Sequence, residues 1–246
     1  MIPYRDDNPT LGQPIMTTLL IAANVVVWLL IQGMGTEPAL SRSVCELGLV
    51  PGELLQRLPA GYVIPMGHGI GCRMENQSNW LSLLSSMFLH GSWLHLLGNM
   101  WFLWLFGNNV EDSMGSFRYL VFYLMSGFAA AAAQILTDPS SPVPMVGASG
   151  AISGVMGAYI VLYPRVRVHV LVFLGIFITR IVVPAFVMLG FWLALQLLGG
   201  LPSLGGGEGG VAFWAHVGGF AAGAALIALF RNPARVAEHR ALARTM

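Results

Sequence analysis

The sequence predicts an all-α, polytopic membrane protein: a bundle of six transmembrane helices with a long, ordered first loop, forming a single domain over residues 1–246. Three observations predict it. Hydrophobic residues make up 56% of the chain and charged residues only 9%, with a mean hydropathy of +0.70, where a soluble domain carries about 25% charged residues. Six apolar segments approach the roughly 20 residues needed to cross a bilayer. The basic residues, all of them arginine, are distributed unevenly over the connections between those segments.

The expected spans are 15–33, 79–107, 116–136, 148–163, 181–199 and 211–230. Before the first, MIPYRDDNPT mixes one arginine with two aspartates, and the apolar run that follows is as long as a full span, so no cleavable signal peptide is expected. The connection 34–78 carries its own apolar stretch, LGLVPGELLQRL, and reads as an ordered loop rather than a linker. Both cysteines, Cys45 and Cys72, lie in it; they form a disulfide if the loop faces an oxidising compartment, or stay as two thiols if it does not. Segment 164–180 is apolar but bracketed by Arg165, Arg167 and Arg180, which suggests a stretch lying in the membrane interface before the fifth span. The glycine-rich loop GGLPSLGGGEGG (199–210) before the sixth span has the backbone freedom of a lid.

Arginine placement orients the bundle. Arg5, Arg118, Arg165, Arg167, Arg180, Arg231, Arg235, Arg240 and Arg244 fall on one side, and Arg42, Arg57 and Arg73, all in the first loop, on the other. The positive-inside rule places both termini in the cytoplasm. Spans two, four and six then run from outside to inside.

Polar residues in those three spans are the candidates for chemistry, because an intramembrane ionisable group is expensive. His95 and Asn99 in HGSWLHLLGNMWFLWLF share a helix face. Ser149 opens span four in GASGAISGVMGAY, and His216 lies near the start of span six in AHVGGFAAG. All four sit toward the outer part of the bilayer. Gly147, Gly150, Gly154 and Gly157 form one stripe beside Ser149, and Gly219 and Gly223 share a face with His216. Such faces let helix backbones approach closely, which would bring a serine hydroxyl within reach of an imidazole. A serine needs a base to become a nucleophile, and His216 is the candidate. No aspartate or glutamate lies deep in these spans; Glu111 and Asp112 sit at the inner end of span two. A Ser149–His216 dyad is the arrangement left. The Ser149 N–H, the Asn99 amide and the His95 ring are candidate donors to an oxyanion. Gly147-Ala148-Ser149-Gly150 does not strictly match the Gly-x-Ser-x-Gly nucleophile elbow.

These stretches, with LGLVPGELL in the first loop, resemble the rhomboid intramembrane serine proteases over residues 14–230. The resemblance implies a six-helix bundle that cleaves transmembrane proteins, with Ser149 as nucleophile, His216 as base, and His95 and Asn99 at the oxyanion. The depth of the pair, and the need to unwind a helix before its peptide bonds can be attacked, lead to the expectation of single-span membrane protein substrates cut near the outer face, at small residues with helix-breaking Gly or Pro nearby, by an enzyme of a bacterial inner membrane. The chain departs from the family pattern in three ways. Trp80 is followed by Leu81 where many members have Trp-Arg. Ser153 stands where an aromatic often stacks on the catalytic histidine, leaving Phe213 or Trp214 to hold the imidazole. No appended cytosolic domain is expected.

Other classes use the same residues. A non-catalytic rhomboid-like factor binds membrane proteins without cutting them, and such relatives typically lose the serine or the histidine, both present here. A transporter would show paired broken helices and internal repeats, which the chain lacks. A metal centre from His90, His95 and His216 has no HExxH to support it, and the His90–His95 spacing suits one helix face poorly. Chemistry by paired aspartates is excluded by their absence from the spans. No cofactor is called for, and a net charge of +1 argues against a nucleic-acid partner. Membrane lipid is the expected surrounding; the oligomeric state is not legible.

Overall fold

The computed structural model describes residues 1–67, 70–74, 78–175, 177–204 and 211–243. In chain order the elements are β1 (Ile2–Asp6), α1 (Ile15–Leu30), α2 (Ala39–Leu47), α3 (Pro51–Leu54), β2 (Val63–Gly67), β3 (Ile70–Arg73), α4 (Ser82–Ser85), α5 (Trp93–Met114), α6 (Ser116–Thr137), α7 (Ser149–Leu162), β4 (Arg167–Leu174), β5 (Phe177–Pro184), α8 (Ala185–Leu204), α9 (Phe213–Phe230) and α10 (Pro233–Ala243). The chain is mostly helical. Among the described residues three helices are long and apolar enough to cross a bilayer, at Ser116–Thr137, Ala185–Pro202 and Phe213–Phe230. Two more, α1 and α7, are apolar but shorter. Large apolar side chains face outward on these helices, as with Leu136 (81% exposed) and Leu229 (74%). Lipid tails are as apolar as leucine, so in a bilayer such a surface carries no penalty.

Helix α7 is the hub. Residues Ala151 to Tyr159 are all buried, because glycines let its neighbours close in. A methyl group on Gly223 or Gly219 of α9 would strike the carbonyl oxygen of Gly154 or Gly150, and one on Gly157 would strike that of Phe220. The expected contact between spans four and six therefore exists. Gly147 is not part of that stripe. It precedes the helix with φ +126°, a conformation open to glycine.

The expected second span is displaced. It runs from Trp93 to Met114 rather than 79–107, because 82–88 forms two short helical turns and Leu89 goes extended (φ −90°, ψ 154°). Ser92 then caps α5, its Oγ accepting from the His95 N–H at 3.1 Å. At the far end, Glu111 and Asp112 are buried rather than emergent. Glu111 accepts from the Met16 and Thr17 N–H groups at 2.9 and 2.8 Å, satisfying the first turn of α1. Asp112 accepts from the Leu11 N–H at 2.6 Å.

Segment 164–180 corrects the all-helical expectation. Its described residues form most of a β-hairpin, β4–β5, with β1 paired to β4, all antiparallel. Val168 and Val170 are fully buried while Arg167 and His169 between and beside them pair with Asp7, the period-2 alternation of a half-buried strand. The fifth helix consequently starts at Ala185 and runs to Leu204. Residues 199–204 of the expected lid are its last turns, and 205–210 lie outside the described residues, as does Arg244.

The described residues of the first loop form α2, α3, β2 and β3. A disulfide joins Cys45 at the end of α2 to Cys72 in β3. Leu49 exchanges backbone hydrogen bonds with Met145 at 3.0 and 2.7 Å, and the Gly52 N–H donates to the Ser141 carbonyl at 2.9 Å. LGLVPGELL thus braces the segment that leads into α7. Trp80 and Leu81 are exposed and take no part in this bracing.

Candidate active site

Three helix starts converge. The Gly147 N–H donates to the carbonyl of Ser86, just before α5, at 2.9 Å. The Ala215 N–H, in the first turn of α9, donates to Gln134 Oε1 of α6 at 3.2 Å. The first turns of α5, α7 and α9 therefore lie at the same end of the bundle. Between them is a cavity of about 520 Å³, lined by His95, Asn99, Ser149, Trp192, Gln196 and His216 among others.

Ser149 is the first residue of α7 and His216 sits in the first turn of α9. Ser149 Oγ lies 2.8 Å from His216 Nε2. Ser153, one turn on, sends its hydroxyl back to the Ser149 carbonyl at 2.6 Å rather than to the imidazole. No side chain caps α7, so its N-terminal amides face the cavity end with the partial positive charge of a helix start.

His95 and Asn99 reach the same place from α5. A side-chain carbon at Gly147 would stand 2.8 Å from His95 Nε2 and 3.5 Å from Asn99 Nδ2. Both nitrogens are free to donate. His95 Nδ1 accepts from the Gly91 N–H at 3.3 Å, which leaves the ring proton on Nε2. Asn99 Nδ2 is buried and has no hydrogen-bond partner among the described residues. His90 meets His95 edge to face, centroids 5.1 Å apart. Among the described residues there is no group of three or more His, Cys, Asp or Glu arranged to hold a metal ion.

What holds His216 is not what the sequence suggested. Phe213 packs on Gly199, and the Trp214 Nε1–H donates to the Gly200 carbonyl at 3.2 Å. The imidazole instead meets α8 twice. Trp192 lies with its ring centroid 5.9 Å from that of His216, tilted by 43°. Gln196 Oε1 lies 2.8 Å from His216 Nδ1. The sequence carries a signal for it: Trp192 and Gln196 are four apart on one face, and Gln196 is the sole amide side chain in an otherwise apolar run from 185 to 201.

A family model described as the Rhomboid domain matches residues 77–233. The chain is 36% identical over 152 residues to "Rhomboid protease GluP" of Bacillus subtilis (strain 168), covering 61% of this chain and 27% of that protein. It is 31% identical over 163 residues to "RHOMBOID-like protein 5" of Arabidopsis thaliana, covering 63% and 52%. "Putative rhomboid protease YdcA" of Bacillus subtilis (strain 168) is 37% identical over 81 residues, 33% of this chain and 40% of that one. The aligned chain thus spans between about a quarter and a half of the length of these curated relatives. The matched domain runs from the end of the first loop to the start of α10 and contains every residue just placed around the cavity; this chain is an integral membrane protein that belongs to the rhomboid family.

Proposed function

We propose that this chain is an intramembrane serine endopeptidase, with α1, α5, α6, α7, α8 and α9 as six spans and Ser149 and His216 as its catalytic pair. A single observation carries this reading: the 2.8 Å contact between Ser149 Oγ and His216 Nε2 at the edge of a cavity large enough for a peptide segment. His216 takes the Oγ proton as Oγ attacks the scissile carbonyl carbon, then gives it to the leaving amine nitrogen. His95 Nε2–H, Asn99 Nδ2–H and the N-terminal amide of α7 donate to the oxyanion that forms between these steps. A water molecule, deprotonated by the same imidazole, hydrolyses the acyl-serine.

Substrates in this proposal are single-span membrane proteins. A peptide bond inside a helix is shielded by its own hydrogen bonds, so the segment must unwind, which small residues and nearby Gly or Pro favour. The arginine bias supports cytoplasmic termini. The Cys45–Cys72 disulfide supports an oxidising environment on the opposite side, as the outer face of a bacterial inner membrane provides. The test is cleavage of a panel of single-span substrates in proteoliposomes, with fluorophosphonate labelling alongside. The wild-type chain should cut and label at Ser149, and Ser149→Ala should do neither. Wild-type-like cleavage by Ser149→Ala would reject the assignment, and substrate binding without cleavage by the wild type would favour a non-catalytic factor.

A further inference from the structure

His216 has a second ring nitrogen, and its environment decides which face of the ring can act as a base. An imidazole that carries its proton on Nε2 cannot accept one from Ser149. Nothing in α7 or α9 fixes the tautomer: Ser153 is turned to the Ser149 carbonyl, and Phe213 and Trp214 pack against Gly199 and Gly200. Among the described residues the hydrogen-bonding contact at Nδ1 comes from a third helix, at Gln196 Oε1, 2.8 Å away. One turn earlier, Trp192 lies against the same ring. Leu195, Leu197 and Leu198 beside them face outward, so Gln196 is turned inward from a lipid-facing helix. An amide in a span costs free energy unless its polar atoms are matched, and here His216 Nδ1–H matches the carbonyl oxygen.

We propose that Gln196 is a positioning residue: its amide oxygen accepts from Nδ1–H of His216, holds the proton on Nδ1, and so keeps Nε2 as the base toward Ser149, with Trp192 fixing the tilt of the ring. Resting on the peptidase proposal, this turns the pair into a Ser149–His216–Gln196 triad with a neutral third member. A neutral amide fills that role in Cys-His-Asn sites. Unlike a carboxylate, it orients the ring and contributes little net charge to the imidazolium that forms.

The experiment reads orientation and reactivity separately. In protein carrying ¹⁵N-histidine, with the His216 signals assigned by their loss in a His216 variant, wild-type shifts should show a protonated Nδ1 and an unprotonated Nε2. In Gln196→Leu they should show both tautomers. The second-order rate of fluorophosphonate labelling should fall about 10- to 100-fold in Gln196→Leu, the worth of one hydrogen bond to a group that becomes charged. Gln196→Glu should recover to within a few-fold of wild type, with the acid limb of its pH–rate profile moved to higher pH, because a carboxylate favours the imidazolium. Gln196→Glu also keeps the side-chain volume, so it stands as a test if Gln196→Leu melts early. An unchanged tautomer population and labelling rate in Gln196→Leu would overturn the proposal. So would equal slowing in both variants with no shift of the acid limb. If Gln196→Leu scrambles the tautomer but the wild type never labels at Ser149, the positioning role stands and the peptidase assignment falls.

Discussion

Gly147 shows how much of this site depends on what a residue lacks. Its φ of +126° suits glycine alone, and a side-chain carbon there would sit 2.8 Å from His95 Nε2, in the space where the His95 and Asn99 donors meet. Gly147→Ala should therefore lose cleavage almost completely while costing about 1–3 kcal/mol of stability from backbone strain; parallel melting and labelling measurements separate the two. His95→Ala and Asn99→Ala should each slow turnover, by up to about 10²–10³ where the other donors carry little of the charge. Unchanged turnover in both would remove them from the oxyanion. The nearness of Ser149 to His216 was legible because glycine spacing alone sets how close α7 and α9 lie. The support of His216 was not, because the rotation of α8 about its axis is set by β5 and by packing, and an isolated Gln196 in an apolar run carries no spacing rule that names its partner.

Among the elements, α7 and α9 show the strongest dependence on close packing. Gly223→Ala would drive a methyl into the Gly154 carbonyl, so the two helices must separate, at about 1–3 kcal/mol as for other overpacked cores. Because the same contact sets the Ser149–His216 distance, activity should fall further than the melting temperature suggests. Gly190→Ala on α8, where the added carbon meets nothing within 4 Å, should leave both unchanged or raise stability by a fraction of a kcal/mol. Equal losses in the two variants would show that backbone approach is not what matters. The sheet is a second case. Asp6 in β1 has its pKa raised from 3.8 to about 6, chiefly by burial, against the hydrogen bond it accepts from Tyr159. In the unfolded chain Asp6 ionises near 3.8, so the folded state holds the extra proton between roughly pH 4 and 6. Its contribution to stability is complete below that window and is lost as pH rises through it. Asp7 works the other way: burial raises its pKa, but hydrogen bonds from Arg5 and His169 and the nearby charges of His169 and Arg167 outweigh that and bring it below 3.8. Asp6→Asn should flatten the fall in melting temperature between pH 4 and 6 and stabilise the protein above pH 6; an unchanged slope would place the burial elsewhere. The sheet was not legible because 164–180, apolar between arginines, passes for an interfacial stretch, and 181–184 at the end of β5 pass for the start of a span. The Val166, Val168, Val170 alternation that leads into β4 is short.

Across the whole molecule, the two ends of the bundle differ in kind, and the arginines, the disulfide and the cavity divide the same way. At one end lie the Cys45–Cys72 loop, the Leu49–Met145 brace and the first turns of α5, α7 and α9. At the other, Glu111 and Asp112 tie α5 to the N-terminal segment, the Asn232 N–H donates to the Ser113 carbonyl at 2.8 Å, and His239 of α10 meets the Pro9 carbonyl at 2.6 Å. The arginine count made this polarity legible in the sequence; the depth of the cavity was not, because it depends on where α7 begins relative to its longer neighbours. Helix α7 has 14 residues against 22 in α6. At about 1.5 Å per residue it is about 21 Å long, against a hydrocarbon core of about 30 Å. If its inner end is level with its neighbours, Ser149 lies several ångströms below the outer boundary, in a cavity that Pro51 of the first loop helps to line. Two measurements follow. A membrane-impermeant thiol reagent should label Gln56→Cys in right-side-out vesicles and Glu238→Cys only in inverted ones. Substrate cuts mapped by mass spectrometry should fall in the outer third of the substrate's own span. Labelling of both positions from one side would overturn the orientation. Cuts in the cytoplasmic half of the substrate, with the orientation intact, would instead overturn the depth inferred from the length of α7.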